Sequence, residues 1–153
     1  MTVEKQRVSW DEIGKMVGTL AEQVRGEYDL MLAITRGGLV PAGLLAYRLE
    51  IRNILVAAVE FYNDDRVLGD TPTFLQFPAD PQLRGQRILV VDEVWDSGTT
   101  IMSVIERIQQ AGGDPTTAVL HYKPGNSVVD ATPDFFVEET GAWILYPWAH
   151  ADS

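Results

Sequence analysis

Apolar residues recur along this chain in two rhythms, one helical and one of short unbroken runs. Over residues 9 to 25, "SWDEIGKMVGTLAEQVR", Trp10, Ile13, Met16, Val17, Leu20 and Val24 fall at helical spacing, which predicts an amphipathic helix. Ser9 and Glu12 have the spacing of a capping box, and Val8 is placed to pack on Ile13 as a hydrophobic staple. Residues 30 to 34, "LMLAI", form a continuous apolar run too short for a helix and end at "TRGG", the pattern of a strand buried on both faces. A second helix is expected to begin near Pro41, a residue tolerated in a first helical turn, and to run to about Leu49. "ILVAAVEF" (54 to 61) and "RILVVD" (87 to 92) are further strands, rich in the β-branched residues strands favour. After "DSGTT", Ile101, Met102, Val104, Ile105 and Ile108 share a helical face closed by Gly112 and Gly113, with Pro115 beyond. Residues 117 to 122, 135 to 139 and 142 to 146 are shorter strand candidates. The alternation predicts an α/β fold: an open parallel sheet flanked by helices, with ligands bound beyond the carboxyl ends of the strands.

One segment breaks the alternation. Residues 62 to 86, "YNDDRVLGDTPTFLQFPADPQLRGQ", are long for a loop in a compact domain, and such segments are usually lids or binding loops. "FLQF" within it suits a hairpin strand. There is no internal repeat, low-complexity tract or linker, so residues 1 to 153 are expected to form a single domain.

At 153 residues a chain buries roughly 68–70% of its unfolded surface, enough for a core without staples. The absence of Cys removes disulfides, thiol redox chemistry and thiolate metal sites. The first ten residues lack the apolar core of a signal peptide, and no apolar run approaches the ~18 residues of a membrane span. A soluble, cytoplasmic protein without a membrane partner is expected. Lys and Arg number 12 against 22 Asp and Glu, a net charge of -10, so the overall field repels nucleic acids. A small phosphorylated ligand can still bind where backbone amides, a metal ion or a few basic residues reverse the sign locally.

The stretch "VVDEVWDSGTT" (90 to 100) sets carboxylates at the end of a buried strand beside a hydroxyl-rich turn. An apolar strand ending in Asp-Glu also occurs in nucleotide triphosphatases, but their phosphate loop needs Lys and Ser/Thr after its second Gly. Here Gly38 and Gly43 are followed by Leu44 and Leu45, and that reading fails. If Asp92, Glu93 and Asp96 merely solvated a loop, Asp96 or Ser97 would cap the following helix. Two adjacent acids at the strand end would then have no explanation.

The full pattern, four apolar residues, Asp92, Glu93, two variable residues, then Asp96, Ser97, Gly98, Thr99 and Thr100, resembles the signature of the type I phosphoribosyltransferases. These use 5-phosphoribosyl 1-pyrophosphate (PRPP). The resemblance implies a 5′-phosphate pocket built from Ser97, Gly98, Thr99 and Thr100 at a helix N-terminus, a place suited to anions. It implies that Asp92 and Glu93 accept the ribose hydroxyls, and that Glu93 helps hold Mg²⁺, which typically binds one or two carboxylates plus phosphates. Trp95 is larger than the family's usual residue between the acids. "ITRGGLVPA" (34 to 42) resembles the family's pyrophosphate loop. By that resemblance Thr35, Arg36 and Gly37 meet the pyrophosphate, and a non-proline cis peptide is expected between Thr35 and Arg36.

"YKPG" (122 to 125) and "WILYPW" (143 to 148) are similar to elements of the 6-oxopurine phosphoribosyltransferases, the xanthine-guanine group in particular. By this likeness Lys123 donates to the purine O6, Trp143 stacks on the ring and the backbone around Ile144 meets the base edge. A lysine ammonium only donates, so it matches a 6-oxo group and not the amino group of adenine. Stacking on Trp143 is worth about 1–3 kcal/mol on the scale of bases on aromatics. Leu145 and Tyr146 replace polar residues of the xanthine-guanine enzymes. Trp148 is expected in the core, His121 is expected to pack within a strand, and His150 has no role. Asp96 is the catalytic candidate, managing a proton on the base. Residues 62 to 86 and 123 to 148 would form a small hood over the site, with Arg66 reaching the pyrophosphate.

The implied activity is Mg²⁺-dependent transfer of phosphoribosyl from PRPP to N9 of hypoxanthine, guanine or xanthine, by a homodimer or homotetramer acting in purine salvage. A non-catalytic sensor of PRPP or a nucleotide with the same fold is the alternative, followed by an enzyme for another base.

Overall fold

The computed structural model describes residues 3–62, 69 and 71–149. A short strand β1 (Lys5–Arg7) leads into helix α1 (Trp10–Gln23). The capping box forms as expected: Ser9 Oγ accepts the Glu12 N–H at 3.1 Å, and the Ser9 N–H reaches Glu12 Oε1 at 3.4 Å. Ile13, Val17 and Leu20 are buried on the inner face, joined in the core by Val8. Trp10, expected on that stripe, is instead 54% exposed and meets Trp148 edge to face.

Strand β2 (Leu30–Ile34) is buried at every residue. Leu30, Leu32 and Ile34 enter one core cluster, and Met31 and Ala33 enter the other, which is why its sequence is uniformly apolar. Helix α2 (Leu39–Leu49) begins two residues before the expected start, with Gly38 at its N-cap. Pro41 then sits inside the first turn, where its missing N–H is no loss. Strand β3 (Ile54–Tyr62) follows, and β4 (Thr71–Gln76) pairs antiparallel with it, so the hairpin expected around "FLQF" is present. A single-turn helix α3 (Asp80–Leu83) buries Leu83.

Strand β5 (Arg87–Trp95) runs three residues beyond its expected end. The reason is β6 (Asp114–Tyr122), which stays paired with it as far as Trp95 and Tyr122. Between them lies α4 (Thr99–Gln110), which buries Ile101, Val104 and Ile108 and ends before Gly112 at φ 87°. Strands β7 (Phe135–Glu139) and β8 (Trp143–Leu145) complete the order.

Among the described residues, six strands form one sheet in the order β4-β3-β2-β5-β6-β7, parallel except for β4, while β1 and β8 form a separate parallel pair. Helices α1 and α2 pack with one core cluster and α4 with the other, so the sheet is covered on both faces. From β2 the chain crosses outward to β3, and from β5 it crosses the other way to β6. The strand order therefore reverses between β2 and β5, the place where an open α/β sheet splays its loops and opens a ligand crevice. No described helix is long and apolar enough to cross a membrane.

Candidate active site

A cavity of about 830 Å³ opens at the carboxyl ends of β2 and β5. The loop after β2 supplies Thr35, Arg36 and Gly37, and β5 with its following turn supplies Asp92, Glu93, Asp96, Ser97, Gly98 and Thr100. Lys123 at the end of β6, Trp143 and Ile144 on β8, and Tyr146 and Trp148 beyond it line the remaining wall. Three motifs separated widely in sequence thus meet in one place. Arg66 lies outside the described residues, as does His150. Thr99 stands outside the cavity wall, its hydroxyl 2.8 Å from Ser97 Oγ.

The turn from β5 into α4 presents a helix N-terminus to the cavity, a place suited to anions. Gly98 is the N-cap of α4, has φ 86° and makes no side-chain cap bond, so the first-turn amides and the helix dipole face the cavity without a protein anion to engage them. This glycine takes the N-cap position considered for Asp96 or Ser97, while the Ser97 hydroxyl still accepts the Thr99 N–H at 3.3 Å. A Cβ at position 98 would lie 2.5 Å from Trp95 Nε1, besides requiring a left-handed conformation. Trp95 itself is fully buried, donating to Ser127 Oγ at 3.2 Å and meeting Tyr122 edge to face. Its bulk fills the core beneath the turn. On the facing loop, the Thr35–Arg36 peptide is cis, as expected.

Asp92 and Glu93 are a pair of carboxylates with no basic side chain bonded to them among the described residues. Burial, and then the charge of Glu93, push the Asp92 pKa well above the usual carboxylate range, against the Glu93 N–H that Asp92 Oδ1 accepts at 2.7 Å. Burial also raises Glu93, opposed by the Trp148 indole N–H, which donates to Glu93 Oε2 at 2.9 Å. Two desolvated acids of this kind are hard oxygen donors in want of a cation or of hydroxyl protons.

Asp96 and Lys123 face each other across the cavity mouth, with Lys123 Nζ 3.5 Å from Asp96 Oδ2. Asn126 donates to the other Asp96 oxygen at 2.9 Å. The Lys123 side chain is buried, yet its ammonium stays 5.8 Å from the centre of the half-exposed Trp143 ring. That leaves an aromatic face, an ammonium donor and a carboxylate acceptor around one volume, a combination that fits a flat heterocycle bearing a carbonyl.

Sequence reasoning missed Tyr146, Trp148 and Asn126. Trp148, expected in the core, packs partly buried against it and also lines the cavity wall, stacking on Tyr146 with ring centres 4.8 Å apart and planes 9° from parallel. Tyr146 Oη donates to the Glu93 backbone carbonyl at 3.2 Å and lies 2.8 Å from His121 Nδ1. The packing role expected of His121 is correct, with a polar bond added to it.

Comparison with known proteins agrees with this geometry. The phosphoribosyl transferase domain family matches residues 3–151. The chain is 32% identical to the xanthine-guanine phosphoribosyltransferase of Idiomarina loihiensis, over 92% of this chain and 84% of that one. It is similar to the crystal structure of a purine phosphoribosyltransferase from Pyrococcus horikoshii, with TM-score 0.81, 31% identity, and 95% and 93% of the two chains covered. A Neisseria gonorrhoeae protein solved with bound ppGpp is as similar, at TM-score 0.83 and 31% identity over 99% and 93%. A match over nearly the whole length, joined to a fold shared with a purine phosphoribosyltransferase, leads to one conclusion: the chain belongs to the phosphoribosyl transferase domain family, with the α/β architecture of the type I enzymes.

Proposed function

We propose that this purine phosphoribosyltransferase carries out Mg²⁺-dependent transfer of phosphoribosyl from PRPP to N9 of a 6-oxopurine, giving a nucleoside 5′-monophosphate and pyrophosphate. The observation that supports it most is the convergence on one cavity of the α4 N-terminus, two carboxylates without a basic partner among the described residues, and a wall carrying Lys123, Asp96 and Trp143.

In this reading Ser97, Gly98, Thr99 and Thr100 receive the 5′-phosphate, and Thr35, Arg36 and Gly37 the pyrophosphate. Arg66 is a further candidate for the pyrophosphate, and the segment 62 to 86 for a lid. Asp92 and Glu93 accept the ribose hydroxyls. Among the described residues no group of three or more His, Cys, Asp and Glu side chains could hold a metal ion unaided. One or two carboxylates completed by pyrophosphate and waters fit Mg²⁺ well. Glu93 is the candidate ligand, and the bound ion supplies screening of charge on the departing pyrophosphate.

Lys123 donates to O6 while the ring lies on Trp143 with its edge toward the Ile144 backbone. Asp96, already accepting from Asn126 and Lys123, takes up the proton the base sheds as N9 bonds to C1′. Positioning and a preorganised field then supply most of the acceleration. The same proposal makes the protein a cytoplasmic homodimer or homotetramer with small-molecule substrates, in keeping with a net charge of -10.

The experiment is turnover with Mg²⁺ and PRPP against hypoxanthine, guanine, xanthine, adenine and uracil in parallel, following pyrophosphate release. Turnover confined to the 6-oxopurines is expected; turnover with adenine or uracil alone would overturn the base assignment. A second reading, binding of a regulatory guanine nucleotide, is favoured by the ppGpp bound to the Neisseria gonorrhoeae relative. Binding of ppGpp with no turnover of any base would select it.

A further inference from the structure

Glu93 is held at three points, and two of the residues that hold it, Tyr146 and Trp148, have no place among the substrate contacts proposed above. Its backbone carbonyl accepts the Tyr146 hydroxyl at 3.2 Å, and its carboxylate accepts the Trp148 indole N–H at 2.9 Å. From the third side the carboxylate lies against the Gly37 backbone, so closely that a Cβ there would overlap it. Tyr146 and Trp148 are stacked plane on plane, and neither ring can turn without disturbing the other. His121 anchors the stack from below, its Nδ1 2.8 Å from Tyr146 Oη, and its ring is fully buried. Trp10 closes the outer edge against Trp148, with ring centres 6.0 Å apart and planes at 60°.

We infer that Tyr146 and Trp148 are positioning residues for the PRPP site, acting through Glu93: Tyr146 fixes its backbone and Trp148 fixes its carboxylate. This rests on the reading that Glu93 meets the ribose hydroxyls and Mg²⁺. With Oε2 bonded to Trp148 and Oε1 lying against the Gly37 backbone, the direction of the carboxylate is set before the substrate arrives. An acid that must otherwise find one rotamer on binding loses that entropy in advance, so the gain appears in donor affinity. The device also ties the segment carrying the base wall to the acid on β5, because Tyr146 and Trp148 follow directly on Trp143 and Ile144.

The test uses Tyr146→Phe and Trp148→Phe, which keep aromatic rings and remove the hydroxyl and the indole N–H. Binding of Mg²⁺-PRPP is titrated in both, with the thermal midpoint followed alongside, and Trp148→Phe is repeated in a Glu93→Gln background. A lost hydrogen bond to a charged group weakens binding by about tenfold or more, so Trp148→Phe should raise the PRPP Kd by roughly tenfold and Tyr146→Phe by less. The Trp148→Phe effect should shrink in the Glu93→Gln background, since coupled residues are not additive. A merely structural role would lower the thermal midpoint and leave the two Trp148→Phe effects equal. Unchanged PRPP affinity in the variants, or equal effects in the two backgrounds, overturns this inference alone. Absence of PRPP binding by the wild type overturns it together with the proposed function. If Tyr146→Phe fails to fold, Trp148→Phe on the cavity wall decides the matter by itself.

Discussion

Lys123 and Asp96 are paired across the mouth of the cavity, ammonium to carboxylate, at 3.5 Å. The lysine is 5% exposed and its backbone N–H is spent on the Trp95 carbonyl at 2.9 Å, so the β5–β6 ladder fixes the root of its side chain. The carboxylate has Asn126 on its other oxygen. Each partner is oriented by the protein before a base enters, and each has a separable job.

Lys123→Met keeps the stem and removes the donor. The oxo group of the base then meets no ammonium, and kcat/KM for a 6-oxopurine should fall by roughly 10–100-fold, the scale of a hydrogen bond to a charged group. PRPP affinity should stay within a small factor. Steady-state kinetics with each substrate varied separately make the distinction.

Asp96→Asn preserves shape and the Lys123 contact but cannot take a proton. A general acid/base contributes about 10²–10⁴-fold, so kcat should fall by that range while PRPP binding survives. Near-normal turnover would remove Asp96 from the chemistry.

Gly37→Ala tests the close approach of two loops. The added methyl would overlap the Glu93 carboxyl, which must then leave its place beside Trp148. A misplacement of about 1 Å in a positioned group can cost on the order of 10²-fold. PRPP binding should weaken by about that much with little change in far-UV circular dichroism.

The parts of this site that were legible in the sequence are those written in local backbone chemistry. Leu30–Ile34 announces itself as a strand because both of its faces are buried, and Ser9 with Glu12 caps a helix wherever that helix packs. Asp92 and Glu93 looked like the end of a strand, since two adjacent acids normally face solvent. They lie inside β5, which continues because β6 remains its partner to Tyr122. Aromatic destinations were the least legible. Trp10 and Ile13 share one helical stripe, yet Trp10 is half exposed and Ile13 fully buried, and Trp10 meets Trp148 edge to face. Tyr146 and His121, 25 residues apart, have no sequence signal for their bond, because it exists only once β6 and the C-terminal segment are neighbours.

Removal of Mg²⁺ separates the acids from the anion cradle. Among the described residues Asp92 and Glu93 offer carboxylates without a protein cation, whereas the proposed 5′-phosphate site at the α4 N-terminus relies on amides. With EDTA, turnover should vanish and PRPP affinity fall, while the 5′-phosphate of a product nucleotide should still bind. Equal loss of both ligands in a calorimetric titration would contradict this division.

The buried imidazole of His121 makes stability depend on pH in a direction that can be worked out. Desolvation holds its pKa below the ordinary imidazole value, and Lys123 pushes the same way, while Glu138 Oε2 at 3.4 Å from Nε2 and the more distant Glu12 pull upward. Tyr146, its remaining partner, is kept neutral by a pKa raised through its own burial. Because the folded pKa is lowered, the folded chain binds fewer protons than the unfolded one below about 6.5. His121 thus contributes its full stability above about pH 6.5 and loses it as pH falls through the folded pKa. The loss is bounded by about 1.4 kcal/mol per pH unit for one proton. The raised pKa values of Asp92 and Glu93 act oppositely, stabilising the fold as acid is added. The informative quantity is therefore the difference between wild type and His121→Gln in urea unfolding from about pH 7.5 to 5. Wild type should be the more stable at the upper end and should lose that advantage toward the lower. A difference that stays constant across the range would show that His121 does not change its protonation on unfolding.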